Sequence, residues 1–174
     1  MTVLRVLLAV ALAGALTAAA APVVEDAREA NAASAGHVAA VDVRDAVVAL
    51  AASTPAPPGA PAAERTVALT LPRADAATAP AALLVGSAPD TPDAPTTDVA
   101  AVRVGGELRT TLLPVDLRVR AADGTLRDDA TGLRITHGAT LTLRYVLVDR
   151  TPTVVVAPAA GATVYTRARH DGAA

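Results

Sequence analysis

The stretch Val6–Val24, VLLAVALAGALTAAAAPVV, decides the fold, because its nineteen consecutive residues carry no charge. Arg5 precedes this apolar run, and Glu25 and Asp26 follow it directly. A helix rises about 1.5 Å per residue, so the run reaches roughly 28 Å, close to the thickness of the hydrocarbon core of a bilayer. Residues 1–24 are therefore predicted to form a membrane anchor or signal segment, with residues 6–24 in contact with the membrane.

The apolar run is compatible with three interpretations. In a cleaved secretory signal, Arg5 is the charged beginning, residues 6–16 the apolar part and residues 18–20 the small-residue cleavage site. In a soluble protein, the run would be a core helix, although it is apolar on every face. An uncleaved single-pass anchor is favoured, because the helical pattern continues beyond Pro22.

Charges at the two ends of the apolar run predict its orientation. Arg5 on one side and Glu25, Asp26 and Glu29 on the other place the N-terminus inside the cell and the remainder outside. We therefore expect a single-pass protein of the cell membrane with an extracellular C-terminal domain. If the run is removed as a signal, the same domain is secreted.

Residues 25–53 are predicted to continue the helix as an amphipathic segment. Alanine favours helix, and Val43, Val47 and Leu50 recur on one stripe. Pro22 lacks a backbone N–H and is expected to kink the helix without ending it. Gly36 weakens the helix by about 1 kcal/mol relative to alanine.

Downstream of the helix, the sequence predicts an antiparallel β domain. Residues 54–63, TPAPPGAPAA, are a Pro-rich connector, because their four prolines exclude helix. Apolar and polar residues then alternate across residues 64–169, which is typical of half-buried strands, and residues 170–174 form a tail. The predicted fold class is α+β: a long N-terminal helix, transmembrane and then amphipathic, followed by an antiparallel sheet of about six to eight strands.

Gly105 and Gly106 predict a hairpin over residues 99–113. Alternating segments flank the pair, and positive φ is free to glycine, as a two-residue turn requires. A phosphate-binding loop is the less favourable interpretation, because no helix follows the glycines. A last strand is expected over residues 163–169.

The composition excludes several classes of protein. The chain has 174 residues, a formal net charge of −2 and no cysteine. Disulfides, zinc–thiolate sites and thiol catalysis are thereby excluded, and the balanced charge predicts no nucleic-acid partner. All 15 basic residues are arginine, which fits a GC-rich genome or a high-salt environment. Phe and Trp are absent, so the core must be built from Val, Leu, Ile and Ala.

Side chains with catalytic potential are isolated from one another in the sequence. The histidines without a partner at metal-ligand spacing are His37, His137 and His170. The serines outside a nucleophile-elbow context are Ser34, Ser53 and Ser87. We therefore predict no catalytic, cofactor-binding or metal-binding residue, no cofactor and no enzymatic activity.

Two groups of charged residues are candidates for binding. Carboxylates clustered in loops can hold Ca²⁺; here they are Asp123, Asp128 and Asp129 in DGTLRDD, and Asp90, Asp93 and Asp98 in the proline-rich loop. Outward arginines on neighbouring strands can form a basic stripe for an acidic partner or lipid headgroups; they are Arg103, Arg109, Arg118, Arg120 and Arg144. The simpler interpretation is that the aspartates lie in solvated turns and the arginines form cross-strand ion pairs.

The order of the segments resembles the type IV pilin-like architecture: apolar half-helix, Pro22, amphipathic half-helix, connector and β-rich head. In that class the second half of a long N-terminal helix packs on an antiparallel sheet, and the first half anchors or polymerises. Such precursors carry a small residue before the apolar run, whereas this chain has Arg5.

Four motifs are similar to those of an uncharacterised haloarchaeal family of small membrane-anchored proteins of unknown function. They are RVLLAVALAGALTAAAAPVVEDAREA (residues 5–30), RTVALTLP (65–72), LLPVDLRVRAADG (112–124) and ATLTLRYVLVDRTPTVVV (139–156). This resemblance implies an accessory component of an archaeal pilus or secretion system, and no catalytic residue.

The leading expectation is a non-enzymatic, membrane-anchored exported protein, a pilin-like accessory or structural component of an archaeal surface filament or secretion system. Pilus or secretion-system proteins are then its expected partners, and its oligomeric state is left open. The alternative is an exported binding module for a polysaccharide, a lipid headgroup or Ca²⁺.

Overall fold

The computed structural model describes residues 2–87, 98–128, 130–158 and 161–166. These residues form one helix, α1 (Thr2–Ala51), and nine strands. The strands are β1 (Ala63–Leu69), β2 (Ala81–Gly86), β3 (Val99–Val104), β4 (Glu107–Leu112), β5 (Asp116–Val119), β6 (Thr131–Ile135), β7 (Ala139–Val148), β8 (Thr151–Pro158) and β9 (Ala162–Thr166). A long N-terminal helix followed by β-sheets confirms the predicted α+β class.

The strands form two sheets. The four-stranded sheet has the order β1-β7-β8-β5, and the five-stranded sheet has the order β4-β3-β2-β6-β9. The expectation of purely antiparallel pairing is wrong, because β5 runs parallel to β8 and Ala56 forms a parallel bridge with Val146. The described residues also contain more strands than predicted. Alternation shows which residues of a strand face the core, but it does not show which strand is the neighbour.

The second half of α1 packs against both sheets. Val43 and Val47 are fully buried, and Leu50 is nearly so, as the amphipathic stripe predicts. One core cluster joins these side chains to Leu83 of the five-stranded sheet and Leu141 of the four-stranded sheet. This face of the helix is therefore part of the core of the head, while the opposite face is exposed.

Gly36 marks a close approach between α1 and the five-stranded sheet. A Cβ atom at this position would overlap Cγ1 of Val102 on β3 and lie 3.2 Å from its Cγ2. Real Cβ atoms are not found this close to a neighbour, so this packing is possible only because Gly36 has no side chain. The glycine that weakens α1 as an isolated helix is thus the residue that lets it reach the sheet.

The predicted hairpin is confirmed, and a second tight turn joins β7 to β8. β3 pairs with β4 around Gly105, whose φ is 56°. The second turn consists of Asp149 and Arg150, both with positive φ. Pro152 belongs to β8 and pairs with β7. Its missing N–H is tolerated because the pairing of β5 with β8 begins only at the next residue.

Replacing Gly36 by alanine tests whether packing or helix propensity decides at this position. Propensity alone would stabilise the protein by about 1 kcal/mol, whereas overpacking costs about 1–3 kcal/mol. We expect the overpacking to outweigh the propensity, so that Gly36→Ala lowers the free energy of unfolding by up to about 2 kcal/mol in urea titrations of the full chain in detergent.

Two further variants complete this test. Adding Val102→Ala should reduce the penalty of Gly36→Ala, because it removes the side chain that the new methyl group meets. Gly14→Ala is the control, since nothing lies within 4 Å of a Cβ at Gly14. Stabilisation by Gly36→Ala would contradict the close approach between helix and sheet.

Candidate functional site

The first half of α1 stands free of the β domain. Every side chain from Val3 to Val24 is exposed, and the helix runs through Pro22 without interruption. This half is long and apolar enough to be a membrane anchor or a signal sequence. Its large exposed apolar side chains are Val3, Leu4, Val6, Leu7, Leu8, Val10, Leu12, Leu16, Val23 and Val24. The interpretation as a soluble-core helix is therefore wrong.

Hydrogen bonds attach the head to α1 just beyond this apolar half. The Arg28 guanidinium donates to the Asp75 carbonyl at 2.7 Å, and the Asn31 amide donates to the Ala77 carbonyl at 2.9 Å. The Ala79 amide donates to the Arg28 carbonyl at 3.1 Å. The loop between β1 and β2 is thus fixed to the helix near the end of the apolar run. Sequence analysis missed this junction, because two of the three bonds end on loop carbonyls that no residue type identifies.

Two clefts of opposite character open at the same end of the head. The acidic cleft, about 190 Å³, lies between α1 and the β3–β4 hairpin. The basic cleft, about 540 Å³, lies on the face of the five-stranded sheet that points away from α1. The charged residues lining the acidic cleft are Asp26, Glu29, Glu107 and Arg109. The basic side chains lining the basic cleft are Arg73, Arg103, Arg134 and His137.

The predicted histidines and serines do not come together in the part of the chain that the structure describes. His37 and Ser34 are exposed on α1. His137 lies in the turn after β6, where its carbonyl accepts a hydrogen bond from the Leu71 amide at 3.3 Å. His170 lies outside the described residues.

The other two serines, Ser53 and Ser87, take part in hydrogen bonds at the ends of α1 and β2. The Ser53 hydroxyl donates to the Leu50 carbonyl at 2.6 Å, just past the end of α1. Ser87 is buried after β2, and its carbonyl accepts the Tyr165 hydroxyl at 2.6 Å. The Tyr165 ring covers Gly132 to make that bond, since a Cβ at Gly132 would lie 2.6 Å from the ring carbon Cζ. Among the described residues, both serines therefore contribute to hydrogen bonds that hold local structure.

The aspartates that the structure describes accept separate hydrogen bonds within the fold. The Asp98 carboxylate accepts the Leu117 amide at 2.6 Å, which joins the start of β3 to β5. The Asp128 carboxylate accepts the Thr131 hydroxyl at 2.7 Å. Within the described ranges, no group of three or more potential ligands is arranged to hold a metal ion. The predicted residues outside these ranges are Asp90, Asp93 and Asp129.

Asp123 is engaged within its own turn. Its carboxylate accepts the Thr125 hydroxyl at 2.6 Å and the Thr125 amide at 2.9 Å. These two bonds, the hydroxyl first, lower the pKa of Asp123 below its usual value, with a smaller contribution from the charge of Arg127. A side chain that accepts hydrogen bonds from the residue two positions on stabilises a turn, so these bonds give the Asp123 carboxylate a local structural role.

The predicted stripe of five arginines does not form as a whole, although Arg118 and Arg144 flank Val155 on one face of the four-stranded sheet and Arg120 shares a cleft with Arg144. Arg103 and Arg109 belong to the five-stranded sheet, and the other three arginines belong to the four-stranded sheet or its edge. Arg103 and Arg109 also lie on opposite faces, because Arg109 pairs with the core residue Val102, next to Arg103 in β3. Alternation could not assign the strands to sheets, and it placed Arg109 outward although Arg109 shares the α1-facing side of its sheet with Val102.

Cross-strand and local ion pairs account for three of these arginines. The distances are 3.2 Å for Arg109–Glu107, 3.4 Å for Arg118–Asp116 and 3.3 Å for Arg144–Glu64. The interpretation as a cross-strand pair is therefore confirmed for Arg144, whereas Arg109 and Arg118 pair with carboxylates of their own strands. The basic cleft instead combines Arg103 with Arg73 and Arg134, which sequence analysis did not select. Arg134 alternates with Leu133 and Ile135, so its outward position was readable, but its proximity to Arg103 depends on the sheet order.

Comparison with known proteins gives one match. Residues 3–159 match a family model described as a domain of unknown function, DUF7311. No curated protein matches, and no solved structure matches.

The hydrogen bond of Asp98 generates a prediction that separates a structural role from calcium binding. We expect Asp98→Ala to lower the free energy of unfolding by about 1–3 kcal/mol, because the Leu117 amide loses its acceptor. Asp45→Ala is the control; its carboxylate is exposed and lies 3.5 Å from Arg44, so the effect should stay within about 0.5 kcal/mol. Thermal unfolding of both full-length variants in detergent, with and without Ca²⁺, measures their stabilities and the effect of Ca²⁺ on each. Stabilisation by Ca²⁺ that Asp98→Ala abolishes would contradict the structural role.

Proposed function

We propose that this chain, which belongs to the DUF7311 family of unknown function, is a non-enzymatic, membrane-anchored exported protein. Its role would be that of a pilin-like accessory or structural component of a surface filament or secretion system. The observation that carries the proposal is the division of α1, a single helix with an exposed apolar half and a half buried in the core of the head.

The energetics of the exposed half favour an apolar environment. Complete burial of a Val or Leu side chain contributes about 1.5–3 kcal/mol. Ten such side chains between Val3 and Val24 are 52–76% exposed, so transfer of their exposed surface out of water is favourable by on the order of 10–20 kcal/mol. A bilayer or the apolar helices of neighbouring copies would supply that environment.

The buried half couples the position of the head to that of the apolar half. Val43 and Val47 lie in the core, and Gly36 packs against β3. Arg28 and Asn31 bind the loop between β1 and β2. A head fixed in this way to its helix would follow any side-by-side packing of the apolar halves, which supports a structural role in an assembly.

Cysteine cross-linking tests the assembly part of the proposal, because the natural chain contains no cysteine. Single cysteines are placed at successive positions from residue 6 to residue 16 of the full chain in membranes. If apolar halves pack side by side, oxidative cross-linking should rise and fall with a period of about 3.6 residues, since only one helix face meets a neighbour.

Val38→Cys is the matched control for this scan. Val38 is 58% exposed, as is Val6, but it lies on the half of α1 that belongs to the head. It should cross-link weakly if the contact is confined to the apolar halves. Uniformly low cross-linking from residue 6 to residue 16 would overturn the assembly and favour a lone anchor that carries a binding module.

A further inference from the structure

The basic cleft lies at the end of the head nearest the apolar run. Arg73 belongs to the β1–β2 loop, which the hydrogen bonds of Arg28 and Asn31 hold to the helix. Gly105, also in the cleft lining, lies against Glu29: a Cβ at Gly105 would be 2.6 Å from Glu29 Oε1. Two separate elements therefore place the cleft beside residues 28–31 of α1.

These residues lie close to the level of lipid headgroups if residues 6–24 span the bilayer. Residues 28–31 follow Val24 by about 6–10 Å along the helix, at about 1.5 Å per residue. The headgroup layer of each leaflet is roughly 5–8 Å thick. Long arginine side chains at this level can reach the phosphate groups of the bilayer surface.

The charge of the cleft is not compensated within the part of the chain that the structure describes. Arg73, Arg103 and Arg134 are exposed, and among the described residues none of the three has an ion-pair partner. The nearby carboxylates are those of Asp75, which accepts the Ala77 amide at 2.7 Å, of Glu107, which pairs with Arg109, and of Glu29, which lies against Gly105. Within the described ranges, none of them forms an ion pair with these three arginines. Like charges around one cleft repel each other, so an anion that entered would be bound favourably.

The shape and chemistry of the cleft fit a phosphate group. Guanidinium groups donate paired hydrogen bonds to phosphate oxygens, and three of them line a space of about 540 Å³. The apolar side chains beside them are those of Pro72, Ala74, Pro80, Ala81 and Ala82. These small residues leave room for a headgroup and give its carbon atoms apolar contacts.

We propose that the basic cleft binds the phosphate group of an anionic lipid and holds the head against the membrane surface. This inference rests on the proposed membrane anchoring of residues 6–24. Because the head is fixed to α1, lipid binding would set the tilt of the whole protein relative to the membrane.

A fluorescence experiment on the full chain tests this binding. Ala74→Cys, in the cleft lining, is labelled with a polarity-sensitive fluorophore and placed in nanodiscs of phosphatidylcholine, alone or mixed with phosphatidylglycerol. We expect an emission shift to shorter wavelength only with phosphatidylglycerol. The shift should disappear at high salt, because the Debye length falls to about 3 Å at 1 M.

Two triple variants in the labelled chain make the test specific. The first variant replaces Arg73, Arg103 and Arg134 by glutamine and should lose the emission shift. Each arginine near an anionic surface raises the binding constant about fivefold, so three arginines together raise it about a hundredfold. The control replaces Arg44, Arg65 and Arg127, which are exposed elsewhere, and has the same net charge. It should retain the shift, and thermal unfolding should show both variants folded.

The remaining outcomes overturn the inference in distinguishable ways. Equal loss of the shift in both triple variants shows attraction by net charge alone. A shift with inorganic phosphate in phosphatidylcholine nanodiscs, without a response to phosphatidylglycerol, shows a site for free phosphate and removes the lipid assignment. A chain that does not enter nanodiscs contradicts the proposed anchoring itself, whereas a chain that enters without any shift contradicts only the lipid site.

Discussion

The structure depends on the burial of the second half of α1 between the two sheets. Val43 and Val47 are completely inaccessible to solvent, and Gly36 allows the helix to approach Val102 more closely than any side chain would permit. Because α1 is continuous from Thr2 to Ala51, this packing also fixes the direction in which the apolar half leaves the head. The exposed apolar surface, the junction and both clefts take their positions from that one contact.

The composition explains why a helix has this central place. A chain without Phe or Trp fills its core with smaller aliphatic side chains, and each of these buries less area than an aromatic ring. Tyr145 is the only aromatic residue in the main core cluster of the described residues. Placing a helix rich in alanine and valine against both sheets brings more such side chains into one core, and small residues allow the close packing that dispersion requires.

Local sequence patterns predicted the helix and the strands. They could not predict which strands are neighbours where the pairing joins distant parts of the chain. The stripe of Val43, Val47 and Leu50 and the Gly105 hairpin were readable, because helical spacing and turn glycines act within a few residues. The parallel pairing of β5 with β8 was not, since a strand's pattern does not identify its neighbour. The basic cleft depends on that same missing information: Arg103 and Arg134 come together because β2 lies between β3 and β6.

The central claim is that the exposed half of α1 remains part of the mature protein and holds the head at the membrane. The intact mass of the native protein recovered from membranes tests it most directly. A mass near 17.3 kDa, or one reduced only by the residues up to Arg5, is the expected result, because the apolar run is then retained. Loss of the chain through residue 20 would contradict the claim and show that the run is a signal removed on export.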